Sequence, residues 1–416
     1  MNPSCEVVIT GLGVVSPIGI GHDQFWESLT KGVCGVAVRE QYAETDLPFR
    51  IAAAVKEFEA KQFIKPRKAL KIMCEPIQFG CAAAAMAVEH AGLEKGQLVP
   101  ERMATVFGTE TFFADPKEVA DVFRRCTVDQ DYKHDRWGEF AMREIQPLWM
   151  LKYLPNMVAS HISIANDARG PSNSICQGEA SGLLALIEAA DLIQRGSADV
   201  VVAGGTGCQM ALSAMLYRGT DLLSKRVREP KSAVRPFDVS RDGMVAGEGA
   251  GALVLESAEH AKARGAEILG TLAGWSRSFQ NRRSELFSSG IEESYNAILK
   301  HAKMTAADIG LVNAHAAGSL EGDLVEANAI RAVFADTPVV AHKSNFGNLG
   351  PGTSIVELIG GVLAIQHGVV PPTINCNNVD PACDINVVTS KTERTGKAVI
   401  KSSFSVTGQI ASVVLV

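Results

Sequence analysis

Residues 180–195 constrain this chain more than any other stretch. Leu183, Leu186, Ile187, Ala190 and Ile193, with further small or apolar neighbours, cover nearly every face of a helix. A helix apolar all round belongs in the middle of a large core. Gly196 stands where a left-handed C-terminal cap would end it. The run that follows, 198–205 (ADVVVAGG), is β-branched and bounded by glycines, the pattern of a buried strand. Residues 170–182, GPSNSICQGEASG, therefore form a polar turn that opens a deeply buried helix. Backbone N–H groups at a helix N-terminus are unpaired and the helix dipole is positive there, so this turn is suited to stabilising negative charge.

The chain has 416 residues, enough for two domain-sized units or one large duplicated one. A net charge of −6 and the lack of any dense Lys/Arg run argue against a nucleic-acid partner. No apolar run approaches the ~18–20 residues that span a bilayer, and the opening MNPSCEVV lacks the basic and apolar regions of a secretory signal. The nine cysteines form no CxxC pair, which points away from disulfides and zinc and toward a reducing cytoplasm.

In chain order, 5–16 (CEVVITGLGVVS) reads as a strand with a glycine turn, too short of the full glycine fingerprint for a dinucleotide site. A short helix is expected over 25–32. The basic segment 65–71 (KPRKALK) is expected to open a long Ala-rich helix reaching about Gly92. Residues 104–108 read as a strand. Residues 111–155 are rich in charge and aromatics. In 235–251 (RPFDVSRDGMVAGEGAG) the glycines suit tight turns, with Asp238, Asp242 and Glu248 holding them. Helices at 259–265 and 294–303 then alternate with strands near Leu269 and at 310–314. Such alternation argues for α/β layers with mostly parallel sheets.

These segments together, with NAHAAGS at 313–319, KSNFGN at 343–348 and HGVVPPT ending at Thr373, resemble the β-ketoacyl synthases. These are the condensing enzymes of fatty-acid and polyketide assembly, in the thiolase-like superfamily. The resemblance implies an α/β fold: a five-layered αβαβα sandwich of two similar halves, 1–257 and 258–416. Residues 111–155 would be a cap or insertion near the acyl pocket. No repeat is visible in the residues, so the duplication rests on the family alone. In the family a cysteine nucleophile sits at a fixed distance between the GPS turn and the helix glycine. Counted without a gap, that position is Glu179, and Cys176 is three residues early. Cys176 is expected to be a buried structural residue.

The resemblance implies further roles. His315 matches the catalytic histidine. Lys343 matches the family lysine, and the second histidine is replaced by Asn348, a His–Asn pair that the priming class of ketosynthases also uses. Asp323 and Glu326 match an acidic pair, and a buried Glu326–Lys343 ion pair is expected to hold the His315 loop. Val406 stands for a gating phenylalanine, and Ala317 for a threonine that contacts pantetheine. Lys65, Arg67, Lys68 and Lys71 are either a solvated helix start or a docking patch for an acidic acyl carrier protein. No metal and no resident cofactor are implied, because the carrier protein delivers the phosphopantetheine. The 198–205 strand is expected to pair with its counterpart across a two-fold axis, in a homodimer or in a heterodimer with a cysteine-containing ketosynthase.

A ketosynthase loads an acyl group on its cysteine, decarboxylates a malonyl thioester, then joins the two. Loading needs a thiolate, which a carboxylate replaces poorly. Decarboxylation needs only donors aimed at the enolate oxygen, and His315 and Asn348 suit that. Relatives with Gln at the nucleophile position are decarboxylases or non-condensing chain-length-factor subunits. Three readings stay open: a malonyl-thioester decarboxylase, a non-catalytic partner subunit, and an atypical condensing enzyme using Glu179 as acid or base. Burial would raise the Glu179 proton affinity and the helix N-terminus would lower it. As a first-turn residue it could also do no more than stabilise the helix, by ~0.3–1 kcal/mol.

Overall fold

The computed structural model describes residues 5–43, 49–280, 288–394 and 396–416. Its first half contributes β1 (Val7–Ser16), β2 (Met103–Gly108), β3 (Ser172–Ile175), β4 (Val200–Cys208) and β5 (Glu248–Ser257). They lie side by side in the order β3-β2-β4-β5-β1. Helices α1 (Glu75–His90), α2 (Met157–Asn166) and α3 (Ser181–Gln194) connect the first four strands. The second half contributes β6 (Gly270–Phe279), β7 (Ile309–Asn313), β8 (Val339–Val340), β9 (Ala398–Phe404) and β10 (Gln409–Leu415). Its strand order is β8-β7-β9-β10-β6. Helices α4 (Ser288–Ala302), α5 (Leu320–Phe334) and α6 (Pro351–His367) fill the corresponding crossovers.

The two halves thus share one topology, which no sequence repeat disclosed. The pairing senses agree too. β3–β2 and β2–β4 are parallel, as are β8–β7 and β7–β9. β4–β5 and β5–β1 are antiparallel, as are β9–β10 and β10–β6. In each half the strands that follow a crossover helix run one way, as the alternation implies. The last strand follows without such a helix and inserts against the others. A short antiparallel contact between β1 and β6, from Val7↔Leu272 to Ile9↔Gly270, joins the halves.

α3 and α6 form the central layer. α3 packs on β4 and β2 and reaches β10, while α6 packs on β5, β4 and β9 and against α3. α1 and α2 cover the outer face of the first sheet, and α4 with α5 that of the second. This is the five-layered sandwich. α3 is buried over most of its length, as its composition requires, and Gly196 takes φ +69 just past its end. The sequence reading passed over α6, which is buried from Pro351 to Ala364 and carries the same all-round apolar pattern.

Two expectations fail here. The 65–71 segment does not open α1: Arg67–Ile72 is a separate 3-10 turn, and α1 starts at Glu75 with Pro76 in its first turn. Proline in the first turn gives up no helical hydrogen bond, so the helix begins there. Nor can the 198–205 strand pair with a copy of itself. It becomes β4, bonded on one side to β5 and on the other to β2, so both edges are used. The outer strand of this sheet is β3. Among the described residues no helix is long and apolar enough to cross a membrane.

Candidate active site

Three chain junctions converge. The first is the turn before α3. Ser181 Oγ accepts the Gln177 N–H at 2.7 Å and donates to the Gly178 carbonyl at 2.6 Å, which closes residues 177–181 into a tight loop. Gly178 there has φ +60, a left-handed conformation that glycine adopts without strain. Glu179 is half-buried, and its carbonyl accepts the Ser403 hydroxyl at 2.9 Å.

The second junction precedes α6. Asn348 Oδ1 accepts the Gly350 N–H at 3.0 Å and the Thr353 hydroxyl at 3.2 Å. With the oxygen committed, the amide orientation is settled by its partners, and Nδ2 faces Glu179 Oε1 at 3.5 Å and Met244 Sδ at 3.3 Å. The two junctions meet because glycine lets the two helix starts touch. A Cβ on Gly182 would stand 2.5 Å from the Pro351 carbonyl oxygen, and one on Gly205 2.4 Å from the same atom.

The third junction is the turn 314–319 after β7. Glu326 of α5 accepts the N–H groups of His315 at 2.6 Å and Ala316 at 2.7 Å. Asp323 accepts those of Ala317, Gly318 and Ser319 at 3.1 to 3.2 Å, and that of Phe237 at 3.1 Å. Two carboxylates one helical turn apart therefore satisfy the whole turn. Burial pushes both up, Asp323 to about 6 and Glu326 to about 7, with the N–H donors opposing the rise. The His315 ring packs on Phe404 at 4.2 Å between centroids, and its Nδ1 lies 3.4 Å from Ser403 Oγ. That distance is beyond a normal hydrogen bond and imposes no tautomer. Part of His315 stays open to the site, yet its ring is densely surrounded. Desolvation, reinforced by the Lys343 and Lys401 ammoniums, holds the imidazole well below its ordinary proton affinity. It is neutral at neutral pH.

The expected Glu326–Lys343 ion pair is not formed. Lys343, buried, donates to the His315 carbonyl and pairs with Glu357 of α6 at 3.2 Å. Glu326 is committed to backbone N–H groups instead. Glu357 also pairs with Lys401 of β9 at 2.7 Å. Both Glu357 and Lys401 escaped the sequence reading, although a signal existed. A charge in an all-apolar helix or strand core requires a buried partner, and VELIGG and AVIKSSF each contain one.

Cys176 is exposed in this chain, not buried as expected. It lies in the loop at the end of the outer strand β3, and its Sγ is 3.2 Å from Thr109 Oγ1; none of its described hydrogen bonds reaches His315, Asn348 or Ser403. Val406 is 64% exposed in the β9–β10 turn. That turn borders the Glu179 loop, since a Cβ on Gly178 would stand 3.1 Å from Ser405 Cβ. Lys65, Arg67, Lys68 and Lys71 are all exposed. Their segment packs on the 3-10 turn Trp149–Tyr153 of the 111–155 segment, where Glu118 accepts from Trp149 Nε1 at 2.6 Å, Lys152 at 2.6 Å and Tyr153 at 2.9 Å. Asp238 does hold its turn, accepting the N–H groups of Ser240, Asn377 and Asn378 at 2.8 to 2.9 Å.

Residues 4–261 match the β-ketoacyl synthase N-terminal domain and residues 266–377 its C-terminal domain. The chain belongs to the β-ketoacyl synthase family. It is 32% identical over 392 residues to a 3-oxoacyl-[acyl-carrier-protein] synthase 2 of Vibrio harveyi, covering 92% of this chain and 91% of that protein. Among solved structures it resembles the ishigamide ketosynthase/chain length factor (TM-score 0.85, 28% identity, 99% of this chain and 98% of that one). It resembles equally a ketosynthase solved in complex with its type II polyketide acyl-carrier protein (TM-score 0.85, 27% identity, 99% and 98%). It is thus a ketosynthase-like protein of the fatty-acid and polyketide type. Glu179 and His315 both meet Ser403, Asn348 faces Glu179, and Lys343 lies behind His315.

Proposed function

We propose that this ketosynthase-family chain does not carry out ordinary condensation and that its own chemistry is at most the decarboxylation of a malonyl thioester on an acyl carrier protein. The observation that carries this reading is the Glu179–Asn348 contact: at the head of α3 a carboxylate, and not a thiol, faces the Asn348 amide from the junction before α6, with a neutral His315 across Ser403. In the reaction the bond between the malonyl α-carbon and its carboxylate breaks, carbon dioxide leaves, and the electron pair becomes an enolate on the thioester. His315, as the tautomer protonated on Nε2, and Asn348 Nδ2 would donate to the enolate oxygen. A proton from water then gives the acetyl thioester. Asn348 suits this because its oxygen is occupied. Among the described residues its N–H groups meet only the weak acceptor Met244 Sδ at 3.3 Å and Glu179 at 3.5 Å, a contact too long to use up the donor. The carrier protein would bring the phosphopantetheine arm and dock on Lys65, Arg67, Lys68 and Lys71. No resident cofactor takes part.

The second reading, a non-catalytic partner subunit, is favoured by a separate observation. Residues 176–178 beside the site are exposed, and among the described residues no strand pairs with the outer edge of β3. A second chain, identical or cysteine-bearing, would cover both. Likeness to the ketosynthase/chain length factor supports the same view. One experiment separates the readings. The purified chain is incubated with malonyl-carrier protein and the acetyl-carrier protein is measured. Product from the chain alone supports decarboxylation. No product alone, but product on adding a cysteine-bearing ketosynthase, supports the partner subunit.

A further inference from the structure

Beneath the His315 turn lies a charged group that the reaction above does not use. Lys401 is wholly buried in β9. Its Nζ donates to the Ala314 carbonyl at 3.0 Å, faces the Asn313 carbonyl at 3.4 Å, and pairs with Glu357 at 2.7 Å. From the other side Lys343 donates to the carbonyl of His315 itself and pairs with the same Glu357. Three successive carbonyls, 313 to 315, are thus faced by two ammoniums that one carboxylate bridges. Glu326 meanwhile takes the N–H groups of residues 315 and 316.

We propose that Lys401 is a positioning residue for His315: with Lys343 it clamps the 313–315 backbone from below and places a second positive charge under the imidazole. A purely structural account leaves the second lysine unexplained. Lys343 alone would balance Glu357, and a buried unneeded ammonium costs several kcal/mol. The groups around the ring are Lys343, Glu357, Lys401 and His342 beneath, Glu326 and Asp323 from α5, and Glu179 from the α3 turn. Burial pushes the Glu326 carboxyl to about 7, so near neutral pH it does not fully cancel the two lysines. The charges that act on the ring from beneath are those of Lys343 and Lys401. Desolvation, reinforced by these two charges, keeps the imidazole neutral, and the charges favour a developing oxyanion above it. Only this last consequence rests on the decarboxylation reading.

The test reads His315 directly. Protein labelled with 15N-histidine is titrated, with the His315 signals assigned through His315→Gln. Burial lowers Lys401 to about 8. In the wild type the His315 ring nitrogens are therefore expected to stay neutral in mild acid and to show a step with midpoint near 8, as Lys401 loses its proton. In Lys401→Met the step should vanish and the imidazole should bind its proton at least ~10-fold more tightly, one unit of pKa. Lys401→Arg should keep the ring neutral without the step. A wild type with no step, a folded Lys401→Met that titrates like wild type, or a Lys401→Arg that keeps the step would each overturn the proposal. If Lys401→Met does not fold, the wild type and the arginine variant decide alone. Turnover of malonyl-carrier protein is measured separately. Its absence in the wild type would sink the decarboxylation reading and leave the His315 result standing.

Discussion

The two halves of the molecule share strand order, pairing sense and crossover helices, and they differ in what fills the same junctions. After β7 the chain makes the short turn 314–319, which carries His315, and every backbone N–H from 315 to 319 finds a carboxylate of α5. After β2, the equivalent place in the first half, the chain spends residues 111–155 on a long excursion with exposed Phe123, Met142 and Leu148. The junctions before the central helices differ likewise. The one before α6 contains buried Lys343 and Asn348, and the one before α3 a half-buried Glu179 beside exposed residues 176–178. Topology therefore positions the site but does not supply its chemistry. The second half invests buried charge in a rigid frame, and the first half presents an open rim.

The largest test of this contrast removes one carboxylate from each central helix. Glu357→Ala leaves Lys343 and Lys401 buried without their partner and should cost about 3–5 kcal/mol in urea unfolding. Glu188→Ala on α3 breaks ion pairs with Arg195 and Arg277 that are partly exposed and should cost under about 1 kcal/mol. Equal losses would break the contrast.

Next in size is His315→Ala. If the rigid frame exists to aim this donor, turnover of malonyl-carrier protein should fall by roughly 10²–10³-fold, in the wild type and in Glu179→Gln alike. Retained turnover would remove His315 from the proposed reaction.

The frame also predicts an acid weakness. His342, beside Lys343, is wholly buried, and burial together with the Lys401 and Lys343 charges pushes it to about 3. An unfolded chain takes up this proton near pH ~6.5, but the native protein does so only near 3. Stability is therefore intact above ~6.5 and is lost as pH falls from there toward 3, by about 2 kcal/mol at pH ~5. His342→Gln should flatten that loss in urea titrations at two pH values. An unchanged slope would contradict the assignment.

Smaller is the effect expected on the open rim. Glu179→Gln removes a negative charge beside the enolate and should leave turnover intact or raise it, by up to about tenfold for each ~1.4 kcal/mol of repulsion relieved. A dead variant would instead make Glu179 a base and revive condensation by another route. Least of all, Met142→Ser in the 111–155 segment, where the side chain is 88% exposed, should change stability by no more than about 0.5 kcal/mol.

Much of the frame was legible in the residues, for a physical reason. An all-round apolar helix such as α3 has only one place to go, and glycine at 196 and at 178 marks backbone that other residues adopt with strain. The carboxylates at 323 and 326 were legible as a pair through their match to the family's acidic pair. Their partners were not, because a buried charge chooses among whatever tertiary packing brings near. Lys343 found Glu357 on α6 rather than Glu326, which the backbone of the 315–316 turn had already claimed.

By itself, then, the sequence determined the family, the alternating layers, the central helix and the placing of Glu179 at its head. The family follows from the resemblance of its motifs, and the layers and the central helix from local periodicity, which the chain carries in every conformation. The tertiary structure alone decided which strand lies at the edge, that Cys176 is exposed, and that two lysines share one glutamate beneath His315. Those depend on contacts between residues far apart in the chain, such as Pro351 against Gly182 and Gly205, and they exist only once the two halves are packed together.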